Sequence, residues 1–387
     1  MNETLVIPGA AAWQNLIDSQ WSRWSDGRHP GNPESAHARI AAGLALPDVT
    51  PKFQLSADDA YFCIGSCFAR NVEEQLIYRR FPLLSRGVPF ANRTARPNSA
   101  VNKYTPASIL NELRWSLDEV PFPERSLVEE DGAWRDLHLA DRAPAADLAT
   151  VRERRTQVHE YFARIRDATV VIITLGLVET WYDADTEVML NAPPSFAMTR
   201  RFPARFHLVV TDYTENVRIL REIYDILNRR GRRSVRVIVT VSPVPMEHTF
   251  SGRDVMIANT YSKATLRAAA EDASRPYANV DYYPSYEAIT ISNRSLTYNA
   301  GDDLHVLDAA VRAVTAHFLA SYGAGGDVEH PEFVELDYLF ANPDVHQAVL
   351  DQQFPSGYEH WLAHGRAEGR LLRAAERTLA LERLVGP

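Results

Sequence analysis

Cys67 stands where an apolar run, Tyr61 to Ile64, stops at Gly65 and a helical pattern of about Phe68 to Arg80 begins. A thiol at the start of a helix faces N–H groups that favour negative charge, which lowers its pKa and makes it a nucleophile. Ser66, one residue earlier in the same turn, is the rival nucleophile. Far along the chain, Asp302 and His305 lie three residues apart. At that spacing a carboxylate can hold one imidazole nitrogen and leave the other as a base. A nucleophile beside such a pair is the arrangement of acyl transfer through a covalent intermediate. A D-x-x-H spacing alone recurs by chance, so its weight comes from the turn at Cys67. His248 is a rival base, and the competing reading of Cys67 is a small inert residue in a tight turn.

The elements that must position these groups alternate. After the first strand and its helix comes a loop, Leu83 to Lys103, carrying Asn92, Asn98 and Asn102. Thr105-Pro106 caps a helix to about Asp118, residues 119–147 read as irregular, and an arginine-rich helix covers Leu148 to Arg166 with a solvated face. Thr169 to Leu175, with Val170 to Ile173 and Leu175 apolar, reads as a strand covered on both faces. Beyond Gly176 an excursion from Asp183 to Arg205 suggests a hairpin. Then follow a helix capped by Asp212, a strand at Val235 to Val241, a helix at Asp254 to Ala273, a strand at Val280 to Tyr283 and a last helix at Asp302 to Tyr322. This alternation predicts a three-layer α/β/α domain with a mostly parallel sheet. Its strand ends, at Gly65-Ser66-Cys67, Gly176 to Trp181 and Ser242 to Pro245, then share the edge where such folds place their chemistry.

Composition narrows the function classes. The 387 residues are 45% hydrophobic and 24% charged, with a net charge of −9. That balance suits a globular protein and argues against a nucleic-acid binder. There is no glycine-rich phosphate loop, and no metal motif surrounds Cys63 and Cys67, the two cysteines. Their spacing is not the C-x-x-C of a redox centre. No basic segment followed by an apolar run precedes Asp18, and the run Val170 to Leu177 is too short to span a bilayer, so the expected compartment is the cytoplasm.

Several ordered motifs carry a resemblance. IGSCFA at 64–69, TLGLVETW at 174–181, VSPVP at 241–245, NTYSKATLR at 259–267, YYPSYE at 282–287 and DDLH at 302–305 together resemble the GSCFA family. That family is similar to the SGNH, or GDSL, hydrolases and acyltransferases. The resemblance implies an SGNH-hydrolase-like, flavodoxin-like sheet. It puts Cys67 where the catalytic serine would be, with Asp302 and His305 on the D-x-x-H block. Gly65 and Gly176 fall on oxyanion positions, but Val178 occupies the asparagine position of the third block and Glu179 the acidic one. Valine cannot donate a hydrogen bond, so the missing donor is sought in the 86–103 loop, with Asn92 first and Asn98 and Asn102 behind it. Glu179 is read either as a general base or as a tie for that loop. Lys263 and Arg267 are expected on the surface, with Lys263 able to hold a carboxylate or phosphate of a substrate.

Three regions are expected: a wrap over 1–55 in which Trp13, Trp21 and Trp24 are packing anchors, a catalytic domain over 56–323, and a helical module over 328–387 behind a Gly323 to Asp327 hinge. The module resembles short helical units appended to bacterial surface-glycan proteins, with Tyr338, Tyr358 and Trp361 as its core. The function this implies is an esterase or acyltransferase in surface-glycan modification, acting on a small-molecule or glycan acyl substrate. It calls for no cofactor beyond an acyl donor such as an acyl thioester. The alternative is a non-catalytic module that holds the same ligand without turnover.

Overall fold

The computed structural model describes residues 5–25, 31–87, 90, 97–140, 143–232 and 234–374. In chain order, α1 (Gly9–Asp18) and α2 (Ala36–Ala42) lead into β1 (Tyr61–Gly65) and α3 (Cys67–Tyr78). Then come α4 (Pro106–Ser116), the hairpin β2 (Leu127–Glu130) and β3 (Ala133–Asp136), α5 (Leu148–Ala163) and β4 (Val170–Leu175). The excursion after β4 holds β5 (Glu179–Asp183), β6 (Val188–Leu190), α6 (Phe196–Arg201) and β7 (Phe206–Val210). Next are α7 (Tyr213–Arg230), β8 (Arg236–Val241), α8 (Val255–Ser274), β9 (Val280–Tyr282), α9 (Ser285–Ile291), α10 (Arg294–Thr297) and α11 (Asp308–Ser321). Beyond these lie α12 (Glu335–Ala341), α13 (Pro343–Leu350) and α14 (Gly357–His360).

The central sheet has four parallel strands in the order β1-β4-β8-β9. Helices flank it. Side chains alternate across each strand, so Phe62, Ile64, Val171, Ile173, Val237 and Val239 pack with α4, α5, α7 and α8. Tyr61, Cys63, Val170, Ile172 and Ile238 face the other way, onto α3, α9 and α11. Local signals set the helix starts: Thr105 and Ser108 form a capping box with Pro106 in the first turn, and Asp212 and Asp254 cap α7 and α8.

Four expectations need correcting. Residues 127–136 are a hairpin, because Asp131 and Gly132 take φ of 53° and 82°, the left-handed pair a tight two-residue turn needs. The excursion after β4 is a three-stranded sheet, β6-β5-β7, rather than a hairpin alone. Trp13 and Trp24 are 67% and 68% exposed, so only Trp21 is anchored, under the Arg39 guanidinium. Arg155 is not on a solvated face. It is buried and paired with Glu112 and Asp136.

That last pairing belongs to a buried ionic cluster beside β1. Glu112 accepts from Lys103 Nζ at 2.6 Å and from Arg155, and Lys103 Nζ also donates to the His138 carbonyl at 2.6 Å. Burial pushes the Glu112 carboxyl up, but the charges of Arg155 and Lys103 outweigh it and hold it at about 2. A carboxyl depressed from its ordinary 4.5 contributes stability that is complete above that value and is lost as the pH falls towards 2. Glu112→Gln leaves buried Lys103 without its carboxylate and Arg155 with Asp136 alone, and urea unfolding at neutral pH should show a loss of about 3–5 kcal/mol. The variant should also lose less stability than the wild type between pH 5 and pH 3, since the titrating group is gone.

Candidate active site at the carboxyl edge of the sheet

Gly65 ends β1 at φ 142°, and a Cβ there would lie 2.2 Å from the Thr174 carbonyl oxygen. No side chain fits, so the strand can turn tightly against β4 only because residue 65 is glycine. Ser66 follows as the N-cap residue of α3, its N–H donating to Thr174 O at 3.2 Å and its hydroxyl facing Thr174 Oγ1 at 3.4 Å. Ser66 is only 4% exposed. Cys67 is the first residue of α3 and is partly exposed. The thiol therefore lies at the helix N-terminus, where backbone N–H groups without intrahelical partners gather.

A second network clamps the start of α3. Arg70, 2% exposed, donates to the Cys63 carbonyl at 3.1 Å and pairs with Glu73 at 2.9 Å. Glu73 in turn accepts from Ser85 Oγ and from Asn98 Nδ2, the latter at 2.9 Å. Cys63 itself is buried against this network. Burial first, and then the Glu73 charge, push its thiol well above the ordinary range, so it stays protonated.

Residues 102–104 bridge the ends of β1 and β4. Lys103 N donates to Gly65 O at 2.8 Å, and Leu177 N donates to Tyr104 O at 2.8 Å. Gly176 is the close-approach point here. A Cβ on it would lie 2.6 Å from Tyr104 O and 3.3 Å from Ser66 Cβ. Its carbonyl accepts from Lys263 Nζ at 2.9 Å. Lys263 is 1% exposed, which overturns its expected surface position: α8 turns this face inward beneath Gly176. Burial lowers the Lys263 ammonium to about 7, against which the Cys67 charge raises it.

The expected oxyanion residues separate. Asn92 lies outside the described residues. Asn98 is engaged with Glu73. Asn102 is 2% exposed and sits beside the Lys103–Gly65 hydrogen bond, with its side-chain oxygen buried and unpartnered. Val178 is core: its N–H donates to Ser262 Oγ at 2.9 Å and its carbonyl accepts from Thr211 N at 3.0 Å. Glu179 ties down a loop, but not the 86–103 loop. Its carboxylate accepts from Thr249 Oγ1 and Phe250 N, both in the segment after β8.

Asp302 and His305 do not begin the last helix, which starts at Asp308. They lie in a turn closed by the Tyr298–Val306 bridge, in which Asp303 takes φ of 53°. Asp302 Oδ1 accepts from the N–H groups of Leu304 and His305, at 2.9 and 3.0 Å, and Oδ2 accepts from His305 Nδ1 at 2.7 Å. Desolvation opposes the Asp302 charge, but these three hydrogen bonds prevail and hold its carboxyl below the usual value. His305 is half exposed, and its Nε2 has no hydrogen-bond partner among the described residues. Tyr298 OH donates to Pro243 O at 2.8 Å, which fastens this turn to the end of β8. His248, the rival base, is exposed and touches Phe250.

Among the described residues no group of three or more His, Cys, Asp or Glu could hold a metal ion, and no helix is long and apolar enough to cross a membrane. A cavity of about 850 Å³ lies elsewhere, between the N-terminal segment and α8, and no candidate site residue lines it.

The close contacts at Gly176 make a prediction. Gly176→Ala must displace the Tyr104 carbonyl and crowds the Ser66 side chain, and thermal unfolding should show a loss of about 1–3 kcal/mol. An unchanged melting temperature would mean that the bridge through residue 104 is looser than described.

No curated protein and no solved structure matches the chain significantly. The model of the GSCFA family matches residues 60–318, the span from β1 through most of α11. The chain belongs to the GSCFA family.

Proposed function

We propose that the protein is an acyl-transferring enzyme of the SGNH-like type, an esterase or acyltransferase, with Cys67 as its nucleophile. The observation that carries the reading is the contrast within one turn: Cys67 opens α3 partly exposed, whereas Ser66 is buried against Thr174. Cys67 would attack the acyl carbonyl, forming a thioester and expelling the alcohol or thiol of the donor. His305, its Nδ1 held by Asp302 and its Nε2 carrying a proton, would pass that proton to the leaving group and take one back from the acceptor. The N–H groups at the start of α3 would stabilise the oxyanion. Asn102, beside the Lys103–Gly65 hydrogen bond, takes the place of Asn92 as the side-chain candidate, and its NH₂ group would be the donor.

A thioester reacts readily with amines and alcohols, so transfer to a sugar hydroxyl or amine is the acceptor chemistry in view. A role in surface-glycan modification extends this by analogy with the C-terminal module. In that module Tyr338, Tyr358 and Trp361 are buried and share a core with Tyr78 of α3. The second reading, ligand binding without turnover, is supported by Val178 at the position of the missing donor.

A panel of short-chain acyl esters and acyl thioesters separates the two. Cys67→Ala should abolish turnover and the acyl-enzyme adduct seen by mass spectrometry. Ser66→Ala should keep most activity, and His305→Ala should lower kcat by ~10²–10⁴. Turnover unchanged in Cys67→Ala would remove the proposal. No turnover in the wild type, with ligand protection against unfolding, would favour the binding module.

A further inference from the structure

Lys263 is buried at 1% exposure with no carboxylate paired to it among the described residues. Elsewhere in this protein buried cations carry anions. Lys103 and Arg155 share Glu112, and Arg70 has Glu73. An ammonium taken out of water without a counter-ion is costly, and such a group normally gains an anion or gives up its proton. Lys263 Nζ is held at 2.9 Å on the Gly176 carbonyl, directly beneath the turn, since Gly176 abuts Ser66. The next residue is Cys67.

The ionisable groups of the adjoining segments are engaged elsewhere. On α8 itself Arg267 pairs with Glu271 and Glu287. On β5 Glu179 is bound to Thr249 and Phe250. Before α4, Lys103 is paired with Glu112.

We propose that Lys263 is the positioning charge of the site, its ammonium holding the Cys67 sulfur as a thiolate, so that the two residues form an ion pair under the turn. The inference rests on the reading of Cys67 as the nucleophile and supplies what activates it. In the step implied, the Sγ–H bond of Cys67 breaks and the third Nζ–H bond of Lys263 forms. The proton passes from thiol to amine, and the net charge of the pair does not change. His305, exposed on its own turn, is then left to the leaving group and the acceptor. The thiolate is thus made by a buried lysine and not by the exposed histidine.

The test measures ionisation and needs no turnover, so its failure is distinct from failure of the acyl-transfer reading. Iodoacetamide alkylation of Cys67, scored on its peptide by mass spectrometry, is followed from pH 5 to pH 10. The wild-type midpoint should fall below that of a free thiol, ~8.5. Lys263→Met, similar in shape and neutral, should raise the midpoint by one pH unit or more and slow alkylation at pH 7 at least tenfold. Lys263→Arg should restore part of the shift, and His305→Ala should leave the midpoint in place. A second arm uses Cys67→Ala and lysines labelled at the ε-carbon, read by NMR. The Lys263 midpoint should drop when its anion is removed. Coincident alkylation midpoints in wild type and Lys263→Met, or a Lys263 midpoint unmoved by Cys67→Ala, would overturn the pair.

Discussion

The absence of a side chain at Gly65 is the constraint on which the site depends. The backbone of β1 comes so close to Thr174 that a single carbon would overlap its carbonyl. This contact lets the chain leave the strand, cap a helix with Ser66 and present Cys67 within two residues. A longer turn would carry the thiol away from the sheet edge and away from Gly176. The second glycine repeats the device on the neighbouring strand, where Tyr104 O and Ser66 close over it. Two glycines thus bring three chain segments within van der Waals contact, and α8 adds a fourth through Lys263.

Charge is distributed around this turn in an uneven way. Two buried ionic networks, Arg70 with Glu73 and Lys103 with Glu112 and Arg155, match each cation to a carboxylate and flank the turn. Each links segments from distinct parts of the fold: the first joins α3 to Ser85 and Asn98, the second joins the bridge segment to α4 and α5. Such networks lend geometry more than net stability, because desolvation offsets much of their attraction. Lys263 breaks the pattern, being equally buried and without a carboxylate among the described residues. Where structural cations are matched by structural anions, an unmatched one directs attention to the group beside it.

The site combines rigid and accessible parts. The turn at Cys67 is built on the sheet and pinned by glycine packing. The Asp302–His305 turn is fastened more lightly, through Tyr298 and the end of β8, and its imidazole is half exposed. On the proposed reading, a fixed thiol and an exposed imidazole would suit chemistry in which a donor and an acceptor enter in succession. The family match covers β1 to α11 and includes all of these residues.

By itself the sequence determined the parallel sheet and most helix boundaries. Apolar runs such as Val170 to Ile173 mark strands covered on both faces, and Thr105-Pro106, Asp212 and Asp254 are local caps that need no tertiary context. The turn at Gly65 was equally legible, since a strand ending in small residues before a helix can hardly do otherwise. The hairpin at Asp131-Gly132 was not legible: its segment reads as irregular, because the charged residues beside the dipeptide hide the strand pattern. What only the tertiary structure decided were the partners. Lys263 reads as a surface lysine because its helix is polar around it, and only the packing of α8 under Gly176 buries it. Glu179 binds a loop some seventy residues away, and Asp302 and His305 form a turn because Tyr298 and Val306 pair across them. Burial and partnership arise between distant segments, and no local pattern of residue types encodes them.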